Sequence, residues 1–443
     1  MEKSSQPLRI ISREARRKSV TKTQAQSKKE RKPKNPNLRN KAYKFRISPT
    51  KKQIGKMEWT LRRCKELYNA ALEERREAYR MNGVSVSYTM QAIQLPAIKE
   101  LREEYHDIHS QIQQDVLKRL DKAMQAFFRR VRNGEKPGYP RFKSGDRYNS
   151  FTYPQGGYEI INKRLHLSKI GHIKIKLHRE MKGTIRTCTV KREGEQWYAV
   201  FTTEYEFDSS MTFHPSEEEV GIDLGINSFA ALSDGTFIEN PRVYRHAEEE
   251  IKEAHKKIAR RKKGSHRRNR AKKELSRLYR KARNKRRDFL HKQSHKLTKQ
   301  YGTLVFEDLQ IDNMTKAPEP KQDENGKYLP NGAAAKGGLN KSILDAGWGA
   351  FVTICSHKAA EAGGKVIKVA PHGTSQACSG CGCVVPKDLS VRWHACPHCG
   401  CELDRDHNAA RNILHRYHLQ KQNGAGSVPQ RSPRGRTVEV PGL

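Results

Sequence analysis

The sequence predicts a multidomain α+β protein. A β-rich N-terminal unit with a helical insertion precedes an α/β domain that carries an inserted cysteine-rich ribbon. Three observations predict this arrangement. The length of 443 residues suits two to four domains. Two stretches of alternating apolar residues flank a region of helical periodicity in the N-terminal half. Two Cys-x-x-Cys pairs interrupt the α/β pattern near the C-terminus.

The N-terminal half switches from strand to helix and back. Alternation over 43–47 predicts a strand, apolar spacing over 54–71 and 112–131 predicts helices, and 158–206 is β-type with a hairpin around Glu193-Gly-Glu195. The predicted divisions are a basic disordered arm at 1–40, a β-rich unit formed by 41–54 and 136–215, and a helical insertion at 55–135.

The C-terminal half reads as an α/β domain built from 216–373 and 402–420, with the ribbon at 374–401 and a disordered tail at 421–443. We expect strands at 220–225, 229–232, 236–238, 303–309 and 365–369, very basic helices over 249–299 that break at Gly264-Ser265, a loop over 315–339, and helices around Trp348 and from Asp406.

The two cysteine pairs have the spacing of a metal-binding ribbon. Cys378 and Cys381 are separated from Cys396 and Cys399 by 14 residues, and a glycine follows each pair. Four thiolates in two short knuckles can surround Zn²⁺ tetrahedrally. The alternatives are disulfides or free thiols. The neighbouring side chains that could compete as ligands are Cys383, Cys401, His394 and His398.

The charge predicts a polyanionic partner. The formal net charge is +40 and the pI is about 10.0, and an excess of this size opposes compaction unless an anion such as nucleic acid binds. A merely soluble basic surface is the alternative. Four cysteines used as a zinc shell indicate a reducing compartment, and no apolar run reaches membrane-spanning length. We therefore expect a cytoplasmic protein without a membrane partner, associated with the nucleoid if its host is a prokaryote.

Three carboxylates fall at places typical of a ribonuclease-H-like site. Asp223 lies in a strand, Glu307 in a later strand and Asp406 at a helix start. Such carboxylates from distant segments can hold two Mg²⁺ or Mn²⁺ ions for phosphodiester hydrolysis. The neighbours Asp308 and Asp404 could be confused with them, although Asp308 should point to the opposite face of its strand from Glu307. An acidic residue at a strand end is usually just solvated.

These motifs together resemble the TnpB proteins of insertion sequences, which are related to compact type V CRISPR effectors. The resemblance covers about residues 40 to 415. It rests on segments 42–50 (AYKFRISPT), 68–72 (YNAAL), 138–143 (GYPRFK), 221–227 (GIDLGIN), 305–309 (VFEDL), 374–382 (TSQACSGCG), 396–400 (CPHCG) and 404–412 (DRDHNAARN).

The resemblance implies an RNA-guided DNA endonuclease with a RuvC-like nuclease domain and a wedge-like barrel. Asp223, Glu307 and Asp406 match the family's catalytic triad, and the four paired cysteines match its zinc ribbon. Guide RNA would pair with one strand of a double-stranded DNA target, and the protein would read a short flanking motif. We expect the protein to act as a monomer with its RNA.

Two groups of residues are candidates for contacts with nucleic acid. In the N-terminal half, polar residues in family-like segments are candidates for reading the flanking motif, with a packed tyrosine and solvated amides as the alternative: Tyr68, Asn69, Thr152 and Gln155. In the basic helices, arginines suit phosphate contacts along RNA or a heteroduplex, with a solvated helix as the alternative: Arg260, Arg261, Arg267, Arg268 and Arg286. No segment resembles a helix-turn-helix that would read many bases.

Competing functions remain at this stage. A guided DNA-binding regulator without catalysis is disfavoured by the intact carboxylates, and a junction resolvase would leave the long N-terminal half unexplained. A compact type V CRISPR effector differs from a transposon protein only in its genomic context.

Overall fold

Seven antiparallel strands form the first of two large sheets in the computed structural model, which describes residues 37–145, 147–207, 214–388 and 390–423. The sheet has the order β2-β6-β7-β1-β5-β4-β3. Its strands are β1 (Leu38–Ser48), β2 (Ser150–Tyr153), β3 (Tyr158–Ile161), β4 (Arg164–Leu167), β5 (Gly171–Lys176), β6 (Thr184–Glu193) and β7 (Gln196–Glu206).

This sheet curls toward a closed shape without closing its hydrogen-bonded ladder. The edge strands β2 and β3 are not neighbours in the strand order, yet the rings of Tyr153 and Tyr158 lie 6.4 Å apart. Phe45 and Phe201 pack beside them in the same apolar core. The predicted barrel is therefore observed as a curled open sheet.

Helices inserted between β1 and β2 cover this core, as the sequence predicted. They are α1 (Lys51–Asn82), α2 (Tyr88–Ile93), α3 (Leu95–Leu101) and α4 (Ser110–Arg132), with a short 3-10 helix at Glu103–Asp107. Thr50 and Gln53 form a reciprocal capping box at the start of α1. Met57 of α1 and Leu120 of α4 are fully buried in the core of the first sheet, so the insertion and the sheet share one core.

The second sheet is mixed and has the order β10-β9-β8-β11-β14. Strands β8, β9 and β10 pair antiparallel, whereas β11 pairs parallel to both β8 and β14. Its strands are β8 (Glu219–Leu224), β9 (Ser228–Leu232), β10 (Phe237–Glu239), β11 (Thr303–Glu307) and β14 (Lys365–Val369).

Helices pack on both faces of the second sheet. The helices of this half are α5 (Val243–Ala259), α6 (His266–Gln300), α7 (Ile311–Met314), α8 (Ala333–Ala346), α9 (Trp348–Glu361) and α10 (Arg405–Gln422), of which α5 packs against α6. Phe306 packs with α9 on one face, and Val305 packs with Ile413 of α10 on the other. No helix in the described ranges is long and apolar enough to cross a membrane.

Several boundaries differ from the sequence expectations. Strand β1 begins at Leu38, inside the expected arm, and α10 continues to Gln422, inside the expected tail; the rest of the arm (1–36) and of the tail (424–443) lies outside the described residues. The loop predicted over 315–339 ends earlier than expected, because α8 begins at Ala333. The three consecutive alanines there favour a helix enough to carry it through Gly337-Gly338. Earlier in this loop, β12 (Lys321–Gln322) pairs with β13 (Tyr328–Leu329).

Gly221 permits close contact between β8 and α10. A Cβ atom at this position would lie 2.1 Å from the Ala410 carbonyl oxygen and 2.8 Å from the Leu414 nitrogen. Both atoms belong to the backbone, so the clash cannot be relieved by a side-chain movement. The absence of a side chain at Gly221 therefore sets the distance between α10 and the sheet.

We expect Gly221→Ala to destabilise the C-terminal unit by about 1–3 kcal/mol, the usual cost of overpacking. Chemical or thermal denaturation of the purified protein measures this. Gly55→Ala is the matched control: a Cβ at Gly55, inside α1, would meet nothing within 4 Å, and it should stabilise by about 0.5–1 kcal/mol. Equal effects of the two substitutions would contradict the close-contact role.

Candidate active site and zinc site

Asp223 and Glu307 lie side by side on the face of the second sheet that α10 covers. Ile222 pairs with Phe306 in the parallel ladder, so the next residues, Asp223 and Glu307, occupy neighbouring positions. Side chains alternate between faces along a strand. Ile222 and Phe306 enter the core on the opposite face, which directs both carboxylates toward α10.

Asp406 approaches the same place from the first turn of α10. A Cβ built on Gly225 would lie 3.9 Å from Asp406 Oδ2, so that carboxylate lies just beyond the end of β8. Asp404 has a different task. Its side chain caps the helix by accepting hydrogen bonds from the backbone nitrogens of Asp406 at 2.8 Å and His407 at 3.2 Å.

Asp308 takes no part in this cluster. Its carboxylate forms a half-exposed ion pair with Lys368 at 2.8 Å, in keeping with the expected turn away from Glu307. The structure thus brings Asp223, Glu307 and Asp406 together and leaves Asp308 and Asp404 in other roles.

The electrostatics of the cluster favour a bound cation. Burial raises the pKa of Asp223 to about 8, and repulsion from Glu307 and Asp406 adds to the effect. Burial also raises the pKa of Glu307, against the opposing influence of the Thr374 hydroxyl. Arg405 and Arg392 form ion pairs with Asp406 at 3.1 and 3.7 Å. Both guanidinium groups pair with Asp406, and divalent cations can balance the charge that Asp223 and Glu307 carry when they are deprotonated.

Oxygen-only donors of this kind suit Mg²⁺ or Mn²⁺. Within the described ranges, only the four paired cysteines form a group of three or more His, Cys, Asp or Glu side chains whose donor atoms all lie within 4.8 Å of one another. The three carboxylates are therefore spaced more widely than those thiols.

The four cysteines form two matched knuckles. Gly382 N donates to the Cys378 carbonyl at 2.9 Å, and Gly400 N donates to the Cys396 carbonyl at 3.0 Å. Both glycines have positive φ, which this tight turn requires. Sulfurs of opposite knuckles lie 3.6 Å apart in two pairs. A tetrahedron with zinc–sulfur distances of about 2.3 Å has sulfur–sulfur edges of about 3.8 Å, so the thiols fit Zn²⁺.

The competing candidates lie outside this cluster. Cys383 and Cys401 use their carbonyls to accept from Cys378 N and Cys396 N, each at 2.9 Å, and so complete the knuckles through the backbone. His394 is fully buried with its Nδ1 against Lys387 Nζ, and His398 is exposed. The sequence reasoning selected the cysteines that the structure groups together.

The polar residues nominated in the N-terminal half have intramolecular partners. Tyr68 is only 3 % exposed in the core. The Asn69 side chain donates to the Lys143 carbonyl and accepts from the Lys143 backbone nitrogen. Thr152 forms hydrogen bonds with Thr189 and Arg119, and Gln155 contacts Gln111 at 3.5 Å. Their role as contacts with nucleic acid stays a prediction.

The nominated arginines divide into two kinds. Arg260 and Arg267 are exposed around the break between α5 and α6. Arg268 donates to the Ile258 and Arg261 carbonyls, which fastens α6 to the end of α5, and the Arg261 side chain donates to the Arg267 carbonyl. Arg286 pairs with the buried Asp345. Phosphate binding by all five stays a prediction.

The sequence reasoning missed three residues beside the carboxylates. Thr374 donates its hydroxyl hydrogen bond to Glu307 Oε1, and Arg392 and Arg405 pair with Asp406. Thr374 opens the segment leading to the first cysteine pair, and Arg405 separates two aspartates. Their proximity to the site depends on how the ribbon folds back, which no local pattern reveals.

Comparisons with known proteins show which proteins this chain resembles. The family model described as "Probable transposase" (OrfB_IS605) matches residues 202–317, and the "Cas12f1-like, TNB domain" model matches 348–413. The chain is 32% identical over 380 residues to the "Putative RNA-guided DNA endonuclease InsQ" of Escherichia coli (strain K12), covering 85% of this chain and 92% of that protein. It is 30% identical over 401 residues to a Streptomyces pristinaespiralis protein named "Putative RNA-guided DNA endonuclease", covering 88% and 92%.

A solved structure, the "Cryo-EM structure of the Cas12f1-sgRNA-target DNA complex", aligns at 14% identity over 82% of each chain with a TM-score of 0.48.

The relatives define the class of protein: it is a nuclease. The chain belongs to the TnpB family of insertion-sequence proteins, as the sequence motifs indicated.

One sequence expectation was wrong. A family model described as "Helix-turn-helix domain" matches residues 37–83, although no such motif was expected. The structure places β1 and the single 32-residue helix α1 there. A base-reading helix-turn-helix needs two helices joined by a short turn. The matched segment therefore lacks the geometry by which that motif enters a major groove.

We expect Cys378→Ser to release Zn²⁺ and loosen residues 374–401, because structural zinc supplies folding free energy. Cys383→Ser and Cys401→Ser should leave zinc stoichiometry unchanged, since only their carbonyls complete the knuckles. Metal analysis of the purified proteins measures this. Zinc loss in either control would show that the four ligands are misassigned.

The pKa of Asp223 predicts pH-dependent binding of Mn²⁺. Between its ordinary value of 3.8 and about 8, the folded protein holds a proton that the unfolded chain has lost, so this residue destabilises the fold as pH rises. A cation must displace that proton. The Mn²⁺ concentration at half-maximal thermal stabilisation should therefore fall by roughly tenfold between pH 6 and 7 and by less as the pH approaches 8. Asp308→Asn should keep this dependence, and a midpoint that does not change with pH would contradict it.

Proposed function

We propose that this protein is an RNA-guided DNA endonuclease that cuts double-stranded DNA next to a short flanking motif and is associated with an insertion sequence. The observation that carries the proposal is the convergence of Asp223, Glu307 and Asp406 at one edge of the second sheet. The order of that sheet, three antiparallel strands followed by two parallel ones, supports a RuvC-like nuclease domain. The relatives' names support the choice of substrate and guide.

The three carboxylates would hold Mg²⁺ or Mn²⁺ between the strand ends and α10. Two such ions, when bound, supply activation of the attacking water and stabilisation of the leaving 3′ oxygen. Asp223 gives up its proton to become a ligand. Gly225 has no side chain because a Cβ there would lie 2.8 Å from the Ser228 carbonyl oxygen, and this close turn keeps the end of β8 beside Asp406. Arg392 and Arg405 offset negative charge at the same edge.

The charge of the chain supports a division of labour between protein and RNA. A net charge of +40 gives weak, salt-sensitive binding to any nucleic acid but no sequence selectivity. Sequence selectivity would come from guide RNA paired with one DNA strand, and the N-terminal sheet and its helices would read the flanking motif. With one carboxylate site, the two DNA strands would be cut in turn by a monomer bound to RNA.

A second candidate has an observation of its own. The match of residues 348–413 to the Cas12f1-like model favours a compact type V CRISPR effector. The chemistry would be the same. A neighbouring repeat array rather than transposon ends in the genome would select this alternative.

We expect Asp223→Ala, Glu307→Ala and Asp406→Ala each to abolish cleavage in Mg²⁺ while guided DNA binding persists, because each loses a metal ligand. Asp308→Ala is the matched control and should still cut. Asp404→Ala should cost about 1 kcal/mol of stability through the lost helix cap and keep measurable cleavage. Cutting by Asp406→Ala, combined with no cutting by Asp404→Ala, would show that the third ligand is misassigned.

Guide dependence is tested with RNA that co-purifies with the protein. Protein freed of RNA should bind DNA weakly and cut no sequence selectively, since the charge attracts all DNA alike. Adding the recovered RNA should produce cleavage of a plasmid that carries its match beside the flanking motif, and a scrambled RNA should not. Equal cutting of matched and scrambled targets, or selective cutting without RNA, would exclude guidance by RNA.

A further inference from the structure

Thr374 links the zinc ribbon to one of the candidate catalytic carboxylates. Its side chain is nearly buried, with 5% of the residue exposed, and its hydroxyl donates to Glu307 Oε1. Glu307 stands at the end of β11, whereas Thr374 lies 67 residues later, at the entrance to the ribbon. This contact therefore joins two parts of the chain that lie far apart in the sequence.

The backbone of Thr374 is held by the helix that carries Asp406. Asn412 of α10 donates through Nδ2 to the Thr374 carbonyl at 2.8 Å and to the Ala377 carbonyl at 2.7 Å. Asn408, one turn earlier on the helix, donates to the same Ala377 carbonyl at 2.7 Å. Two buried amides thus fix the segment that begins with Thr374.

The same segment is held at its other end by the first zinc knuckle. Ser379 N donates to Asn408 Oδ1 at 2.9 Å, and Cys378 N donates to the Cys383 carbonyl at 2.9 Å. Residues 374–379 are therefore fixed both by α10 and by the cysteine cluster. The position of the Thr374 hydroxyl depends on both attachments.

We infer that Thr374 is a positioning residue that orients the Glu307 carboxylate for cation binding and makes that orientation depend on the ordered ribbon. This inference deepens the proposed function and rests on Glu307 being a metal ligand. A carboxylate at a strand end can rotate about its terminal torsion, which is broad. One hydroxyl donor on Oε1 fixes that rotation and leaves the remaining lone pairs for a cation. Loss of such a partner typically costs about 10- to 100-fold in metal affinity or activity.

The test compares Thr374→Val, which keeps the shape without the hydroxyl, with Thr374→Ser, which keeps the hydroxyl. Mn²⁺ binding to the full-length RNA-free protein is measured by titration, and zinc content is measured in the same samples. We expect Thr374→Val to weaken Mn²⁺ binding about 10-fold or more with unchanged zinc. Thr374→Ser should stay close to the unmodified protein. The exposed neighbour Ser375 provides the matched control Ser375→Ala, which should change neither quantity.

Each alternative result has a defined meaning. Unchanged Mn²⁺ affinity in Thr374→Val would overturn the inference, as would equal weakening in Thr374→Val and Thr374→Ser. Zinc loss in Thr374→Val would assign the residue to ribbon folding and overturn it as well. Glu307→Ala separates this inference from the proposed function. If Glu307→Ala still binds Mn²⁺ normally, the proposed metal site fails. If Glu307→Ala loses Mn²⁺ while Thr374→Val does not, only the role of Thr374 fails.

Discussion

The contact between α10 and the second sheet determines the rest of the C-terminal half. Gly221 brings the helix so near β8 that a methyl group would overlap the Ala410 carbonyl. This distance puts Asp406 within reach of the edge where Asp223 and Glu307 stand. It also presents Asn408 and Asn412 to the segment that enters the ribbon. The carboxylate cluster and the ribbon's attachment thus share one structural cause.

Bringing three carboxylates close together disfavours their full ionisation unless a counterion binds. Burial and repulsion hold a proton on Asp223 near neutral pH, and arginines balance part of the charge on Asp406. Keeping these carboxylates together lowers the stability of the folded state, because burying charged groups costs free energy. Divalent cations would reverse that loss, so the site couples metal binding to the stability of the fold.

The local signals in the sequence located most elements, the four cysteines that the structure groups and the three carboxylates that it brings together. Helical spacing found α1 and α4, and the cysteine spacing selected the four thiols that the structure groups. The pattern of residues along the chain could not show that the first sheet stays open, because strand pairing at its edges depends on tertiary contacts. It also could not find Thr374 or Arg392. Their partners lie far along the chain, and only the fold of the ribbon brings them close. The helix at Ala333 was missed because the glycines obscured a favourable alanine run.

The central claim is that Asp223, Glu307 and Asp406 form one site for divalent cations. Anomalous X-ray scattering from crystals grown with Mn²⁺ and a DNA substrate tests it most directly. We expect two Mn²⁺ peaks about 4 Å apart beside Asp223, Glu307 and Asp406. Mn²⁺ at Asp308 or Asp404 instead, or a crystal with Mn²⁺ elsewhere and none beside Asp223, would contradict it.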